Sequence, residues 1–164
     1  MDKMIIDNDT FFADVLRLLD EGKRVTIPVK GLSMLPFIRG GKDLVVLEKA
    51  GEVLVADDIV LFHVGPREGG RYVMHRILSV DGDAVDIQGD GVPETHEHVH
   101  RNQVIAKAVE ILRGGKRRVD PYSPGQRRLV HFWQWLRPVR RYILFIYRHL
   151  PWNRSWIKEN RSNI

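Results

Sequence analysis

Ser33 and His75 are the side chains of this sequence best suited to nucleophilic chemistry. Ser33 has glycine two residues before it and proline three residues after it, and His75 stands in a largely apolar run. A serine hydroxyl attacks a carbonyl at neutral pH only when a neighbouring base takes its proton, and histidine, with an ordinary pKa of about 6.5, is such a base. The pair therefore predicts a nucleophile and its general base. Alone, Ser33 would suit a turn and His75 a half-buried strand.

Three short motifs around these residues resemble those of one peptidase superfamily. Residues 31–36, Gly-Leu-Ser-Met-Leu-Pro, resemble the Gly-x-Ser-Met-x-Pro box around the nucleophile of signal peptidases and of self-cleaving LexA-type repressors. Residues 72–77, Tyr-Val-Met-His-Arg-Ile, resemble the base-carrying strand of archaeal and endoplasmic-reticulum signal peptidases, where histidine replaces lysine. Residues 89–91, Gly-Asp-Gly, resemble the Gly-Asp-Asn box. Their order and spacing make the match more specific than any single motif.

The resemblance extends over residues 24–112. Residues 57–62 resemble a Gly-Asp-Ile-Val strand, although Ala56-Asp57 stands in place of the usual glycine, and residues 104–109 resemble the closing strand. The resemblance implies a serine endopeptidase that makes a processing cut in another polypeptide through an acyl-enzyme, without a cofactor. Ser33 would be the nucleophile and His75 the base. On chemical grounds, the backbone amide of Ser33 suits the oxyanion formed on attack.

The acid that orients the histidine base is harder to assign. A histidine base normally needs an acidic group that fixes its tautomer and stabilises the imidazolium. We predict Asp90 for this role. The histidine-type relatives have a second aspartate shortly after the Gly-Asp box, whereas this chain has Glu94 and Glu97 there, so either glutamate is an alternative. In that case Asp90 would only close a turn.

Other interpretations compete with peptide cleavage. One is a non-catalytic peptide-binding or regulatory module that keeps the motifs as architecture. Another is a metal site, because His96, His98 and His100 would project from one face of a strand, with Glu94 or Glu97 as a further ligand. We favour a solvated loop there and predict no metal. Self-cleavage is not expected, because the residues before the serine contain no helix-turn-helix pattern and no Ala-Gly pair.

The elements that position these residues are predicted to be mostly strands. Asp9 and Thr10 suit the start of a helix, whose apolar residues recur at helical spacing until Gly22. After Arg24, short β-branched runs alternate with glycine-rich turns, which is typical of a β-rich domain. The predicted strands are residues 25–29, 44–47, 59–64, 72–80, 84–87 and 104–112.

The predicted organisation has three parts. Residues 1–23 are the N-terminal helix. Residues 24–125 are the signal-peptidase-like β domain, which ends in a linker rich in glycine and proline after Leu112. Residues 126–164 form a basic, aromatic helical tail. The fold class is mainly β, and the resemblance implies a strongly bent, partly closed antiparallel sheet of the LexA and signal peptidase type.

The tail differs sharply in charge from the rest of the chain. It has 9 basic and 1 acidic side chains and all four tryptophans, whereas residues 1–125 have 17 basic and 20 acidic side chains. Aromatic and basic side chains together suit the interface of an anionic membrane. Binding to nucleic acid is a weaker alternative, and a helix that packs its aromatic face on the β domain is the plainer one.

Composition also limits the class of protein. The chain has no cysteine, which excludes disulfides, thiolate metal sites and a cysteine nucleophile. It has no run of about 20 apolar residues of the kind that spans a membrane. The first thirty residues lack the basic start and apolar run of a signal peptide. We therefore expect a cytoplasmic protein with peripheral contact at the cytoplasmic face of the membrane.

Overall fold

The structure is a computed structural model that describes residues 8–66 and 70–150. It is mainly β, as the sequence predicts, with one antiparallel sheet of eight strands. One helix, α1 (Asn8–Asp20), precedes the sheet, and α2 (Pro124–Trp135) and α3 (Arg140–His149) follow it. The strands are β1 (Val25–Pro28), β2 (Leu44–Lys49), β3 (Ile59–Val64), β4 (Arg71–Asp81), β5 (Ala84–Gln88), β6 (Glu97–His100), β7 (Val104–Arg113) and β8 (Arg117–Val119).

The strands are ordered β1-β2-β7-β3-β4-β5-β6, and β8 pairs with β7. Every described pair is antiparallel. The sheet is open, with β1 and β6 at its two ends, so the partial closure that we expected is not seen. Strand β4 lies inside the sheet, paired with β3 on one side and with β5 on the other.

Two apolar clusters fill the β domain. The first joins α1 to the sheet through Val15 and Leu19, which are four residues apart and therefore share one helix face. Phe12 of the same helix stacks on Tyr72 of β4, with ring centroids 4.1 Å apart. The second cluster lies among β3, β4, β5 and β6 and includes Phe62 and Ile77. His75 of β4 lies beside Phe62 of this second cluster, with ring centroids 5.9 Å apart.

A third cluster attaches α2 and α3 to the loop between β1 and β2, residues 29–43, which is called the Ser33 loop below. From α2 it contains Val130 and Trp133, and from α3 it contains Leu144. These side chains pack against Leu32, Leu35 and Phe37 of the Ser33 loop. The described part of the tail therefore packs on the β domain, while Trp152 and Trp156 lie outside the described residues.

Two strands were not predicted. Strand β6 occupies the histidine-rich stretch that we interpreted as a loop, and Val99 is its one buried residue. Strand β8 lies within the predicted linker and pairs with the end of β7 after a turn at Gly114 and Gly115, both of which have positive φ. The sheet therefore continues beyond Leu112, where we expected it to end.

Candidate active site

The Ser33 loop is closed by contacts between its two ends. Gly31 has φ of 78°, a left-handed conformation that glycine adopts without strain. Gly40 packs against the backbone of Gly31, because a Cβ on Gly40 would lie 2.0 Å from the Gly31 carbonyl oxygen. Ser33 is half-buried and stands between Leu32 and Met34, which are both buried. Gly31 of the first motif is therefore needed for the conformation and packing of the loop backbone, in addition to any role in letting a substrate approach.

Asp43 fixes the far end of this loop. Its buried carboxylate accepts hydrogen bonds from the backbone amides of Arg39, at 2.9 Å, and Gly114, at 3.0 Å. The Arg39 guanidinium also donates to it at 2.8 Å. Burial acts to raise the pKa of Asp43, but the hydrogen bonds from Arg39 and Gly114 outweigh it, and the pKa is lowered. The ionised carboxylate thus ties the Ser33 loop to the turn after β7.

His75 lies on β4 and is 5% exposed. Its Nδ1 atom donates a hydrogen bond to Oε2 of Glu97, at 2.9 Å, so Nε2 remains as the atom that could accept a proton. Burial lowers the pKa of His75 below 6.5, against the opposing effect of the Glu97 carboxylate. The imidazole is therefore neutral at pH 7, as a general base must be.

Gly89 shows how closely the three motifs approach one another. A Cβ on Gly89 would lie 2.6 Å from the carbonyl oxygen of Ser33 and 3.0 Å from Nε2 of His75. Both atoms thus border the same small space, which glycine alone leaves open. Gly91, the last residue of the third motif, donates a hydrogen bond from its backbone amide to the Ser33 carbonyl oxygen at 2.7 Å. The fold therefore brings the first, second and third motifs together.

Asp90 does not contact His75 in this arrangement. Its carboxylate is 1% exposed and accepts hydrogen bonds from Nε and Nη2 of Arg76, at 3.0 and 2.8 Å. The prediction that Asp90 orients His75 therefore does not agree with the geometry. Residues adjacent on a strand point to opposite faces, so Arg76 and His75 lie on opposite faces of β4. The carboxylate of Asp90 is paired with Arg76 and not with the imidazole. Of the two alternatives, Glu97 holds the predicted position, whereas Glu94 lines a groove beside α3.

No model of a known protein family matches this chain, and no curated protein does. The motifs of residues 31–36, 72–77 and 89–91 thus remain a resemblance.

Two supporting residues were missed from the sequence. Arg76 donates to Asp90 and also to the backbone carbonyl of Asp57, at 2.9 Å, and it lies over the ring of Phe37. Trp133 of α2 donates its indole N–H to the backbone carbonyl of Asp90, at 3.0 Å. The sequence signal for Arg76 was its place next to His75 in an apolar run, where a charged residue needs a partner. No comparable signal linked Trp133 to the third motif.

The backbone at Asp57 bears on one difference between this chain and the superfamily that its motifs resemble. It has φ of 73°, in the left-handed region that glycine adopts most readily and aspartate more readily than most other residues. The resemblance placed the Ala56-Asp57 pair where the family has glycine. The backbone conformation at this position is therefore one that glycine would favour, and the sequence keeps it with aspartate.

The histidines of β6 make pairs with carboxylates instead of forming a cluster. His98 contacts Asp86 at 2.5 Å, and His100 lies 3.9 Å from Asp83. Within residues 8–66 and 70–150, no group of three or more histidine or acidic side chains is arranged to hold a metal ion. In the same ranges, no helix has the length and apolar character needed to cross a membrane.

Proposed function

We propose that this chain is a serine endopeptidase of the signal peptidase and LexA type, in its histidine-base form. Ser33 is the nucleophile, His75 is the general base, and Glu97 takes the orienting role that the sequence suggested for Asp90. The observation that carries the proposal is the approach of the three motifs at Gly89, since the Ser33 backbone carbonyl oxygen and His75 Nε2 both lie within 3.0 Å of the position that a Cβ on Gly89 would take. Among the described residues the Ser33 hydroxyl itself makes no hydrogen bond to His75, so the proposed proton transfer requires the two side chains to approach when substrate binds. The hydrogen bond between Glu97 and His75 Nδ1 adds the third member of such a site.

The proposed reaction has two steps. The Oγ of Ser33 attacks the carbonyl carbon of the scissile peptide while Nε2 of His75 takes the hydroxyl proton, and the backbone amide of Ser33 stabilises the oxyanion. His75 then gives the proton to the leaving amine, which departs and leaves an acyl-enzyme. Water, deprotonated by His75, hydrolyses the ester and frees Ser33. Glu97 keeps the proton on Nδ1 throughout, so that Nε2 is the nitrogen that exchanges protons.

The substrate in this proposal is another polypeptide. A groove of about 330 Å³ runs beside the third motif, between residues 91–95 and one side of α3. Its wall includes Gly91, whose amide is hydrogen-bonded to the backbone carbonyl of Ser33, although neither Ser33 nor His75 lines the groove itself. Glu94, Arg141 and Phe145 line it, which gives the groove both charged and apolar surfaces.

The test is covalent labelling by a fluorophosphonate, which phosphonylates an activated serine hydroxyl with loss of fluoride. The full chain should be labelled once, at Ser33, as located by mass spectrometry of the digested protein. Ser33→Ala should remove the label, while Ser123→Ala, which changes a half-buried serine before α2, should keep it. Absence of labelling in a folded chain would favour the non-catalytic peptide-binding module instead.

A further inference from the structure

Helices α2 and α3 have a second face that nothing in the described structure covers. On the inner side, Val130, Trp133 and Leu144 are buried against the Ser33 loop. On the outer side, large apolar side chains recur three or four residues apart and lie 37 to 75% exposed. This outer helix face consists of Leu129, Phe132, Trp135, Val139, Tyr142, Ile143, Phe145 and Ile146, of which Phe145 also lines the groove beside residues 91–95.

The exposure of this face exceeds what single surface hydrophobes would give. Trp135 is 75% exposed and stacks on Phe132, with ring centroids 6.0 Å apart. Phe145 and Ile146 are each 61% exposed. Scattered exposed apolar residues are ordinary, but eight large apolar side chains exposed within residues 129–146 exceed that, and such a concentration is typical of a binding surface.

The charge of the same segment indicates what binds there. Residues 124–150 contain six arginines and no acidic residue. Four of these arginines, Arg127, Arg128, Arg137 and Arg141, are exposed. Arg141 also lies over the ring of Tyr142, with the guanidinium carbon 4.6 Å from the ring centroid. The surface therefore combines aliphatic and aromatic side chains with uncompensated positive charge.

We propose that the outer helix face docks on an anionic lipid surface. Tryptophan, tyrosine and arginine are the side chains that suit the headgroup region, while the aliphatic residues between them need an apolar medium below it. A symmetric contact with a second copy would place arginines opposite arginines with no acid to pair them. Nucleic acid would satisfy the arginines but would leave Leu129, Ile143 and Ile146 in water.

Docking of this kind would also determine where the candidate active site lies. The inner face of α2 touches the Ser33 loop, and Trp133 is hydrogen-bonded to the third motif. In this proposal the two helices lie between the lipid surface and the Ser33 loop. The candidate active site would then act on polypeptides held at the membrane surface. The lipid contact goes beyond the proposed peptidase activity and does not depend on it.

The experiment measures sedimentation of the full chain with vesicles. Vesicles of phosphatidylcholine with phosphatidylglycerol should bind the chain, and vesicles of phosphatidylcholine alone should bind it far less. Replacing Arg127, Arg128, Arg137 and Arg141 by glutamine should weaken binding on the order of 100-fold, because each arginine near the surface contributes to the attraction. Added salt should weaken the binding of the native chain and change that of the variant little.

Two controls make the result specific to this face. Replacing Arg24, Lys116, Arg117 and Arg118 by glutamine removes the same charge from exposed positions elsewhere and should leave binding unchanged. Phe132→Ser with Trp135→Ser and Tyr142→Ser should also reduce binding, which tests the apolar part with side chains that do not line the groove. Ser33→Ala should bind vesicles as the native chain does, so a failed labelling experiment and a failed sedimentation experiment remain distinct.

Three results would overturn the proposal. The first is equal vesicle binding by the native chain and both outer-face variants. The second is a dimer in lipid-free solution that the aromatic variant no longer forms, which would assign the face to a second copy. The third is tighter binding to single-stranded nucleic acid than to anionic vesicles.

Discussion

At the scale of single residues, the two neighbours His75 and Arg76 each pair with a different carboxylate. Glu97 contacts His75, and Asp90 contacts Arg76. The first pair fixes the tautomer of a proposed base, so its loss should affect chemistry. The second pair joins two side chains that are each at most 2% exposed, so its loss should affect stability, because a buried charge is left without its partner.

Glu97→Gln and Asp90→Asn should therefore affect different properties, the labelling rate in the first variant and the free energy of unfolding in the second. We expect Glu97→Gln to lower the rate at which a fluorophosphonate labels Ser33 by about 100- to 10,000-fold, with little change in melting temperature. Asp90→Asn should cost about 3–5 kcal/mol of unfolding free energy, because Arg76 stays buried and charged. Labelling kinetics and urea unfolding of both variants check this. A labelling defect confined to Asp90→Asn would return the orienting role to Asp90.

The lowered pKa of His75 predicts how activity and stability depend on pH. The acylation rate should rise with pH through an inflection below 6.5, because only the neutral imidazole accepts the serine proton. Since the folded chain binds this proton more weakly than the unfolded chain, His75 should also reduce stability as pH falls below about 6.5. Above that pH it contributes no pH dependence.

The measurement is a pH profile of acylation for the native chain and Glu97→Gln. Glu97 raises the pKa of His75, so its removal should move the inflection to lower pH. His75→Gln should remove the associated pH dependence of unfolding. Activity that appears only above about pH 9 would indicate a base of the lysine kind and would reject His75.

At the scale of elements, the site depends on how closely the turn after β5 approaches the Ser33 loop. Gly89→Ala should abolish labelling and lower stability, because the added methyl group meets the Ser33 carbonyl, His75 Nε2 and the Val92 side chain within 3.0 Å. Gly51→Ala is the matched control, since a Cβ there meets nothing within 4 Å. Normal labelling of Gly89→Ala would mean that the loop and turn move apart easily.

The sequence predicted most of these elements because their apolar residues recur at strand or helix spacing. Helix α1 and strands β1 to β5 and β7 lie where the patterns placed them, within a few residues. Strands β6 and β8 lacked a pattern, since each is short and mostly polar and is held by pairing with a longer neighbour. Their existence depends on tertiary contacts that no local window contains.

The same reason explains why the partner of His75 was not identified. Glu97 of β6 aligns with Ile87 of β5, which aligns with Ile77 of β4, two residues from His75 on the same face. The carboxylate thus reaches the imidazole across two strand pairings. Because β6 was not expected to be a strand, the register that brings Glu97 to His75 could not be inferred. Asp90 was predicted instead because it belongs to the third motif.

At the scale of the whole molecule, α2 and α3 pack on the Ser33 loop with one set of side chains and expose large apolar side chains elsewhere. The two alternatives considered for the tail, packing on the domain or binding a membrane, are therefore compatible, because they use different side chains of the same helices. Removing residues 126–150 would test neither cleanly, since it would also expose Leu32, Leu35 and Phe37. Single substitutions on each side separate the two roles.

Trp133 and Trp135 give the sharpest comparison, since both are on α2 but on opposite sides. Trp133 is 7% exposed and bonded to the Asp90 carbonyl, so Trp133→Ala should cost about 3–5 kcal/mol of unfolding free energy and reduce acylation of Ser33. Trp135→Ala should change stability by less than about 0.5 kcal/mol and leave acylation intact.

Binding to anionic vesicles should show the reverse order. Trp135→Ala should weaken it several-fold, whereas a still folded Trp133→Ala should bind nearly as well as the native chain. Chemical unfolding, acylation and vesicle sedimentation of the two variants measure the three effects on one pair of proteins. Equal loss of stability in both variants would mean that the outer helix face packs against the protein itself, and the lipid surface would then have no place to bind.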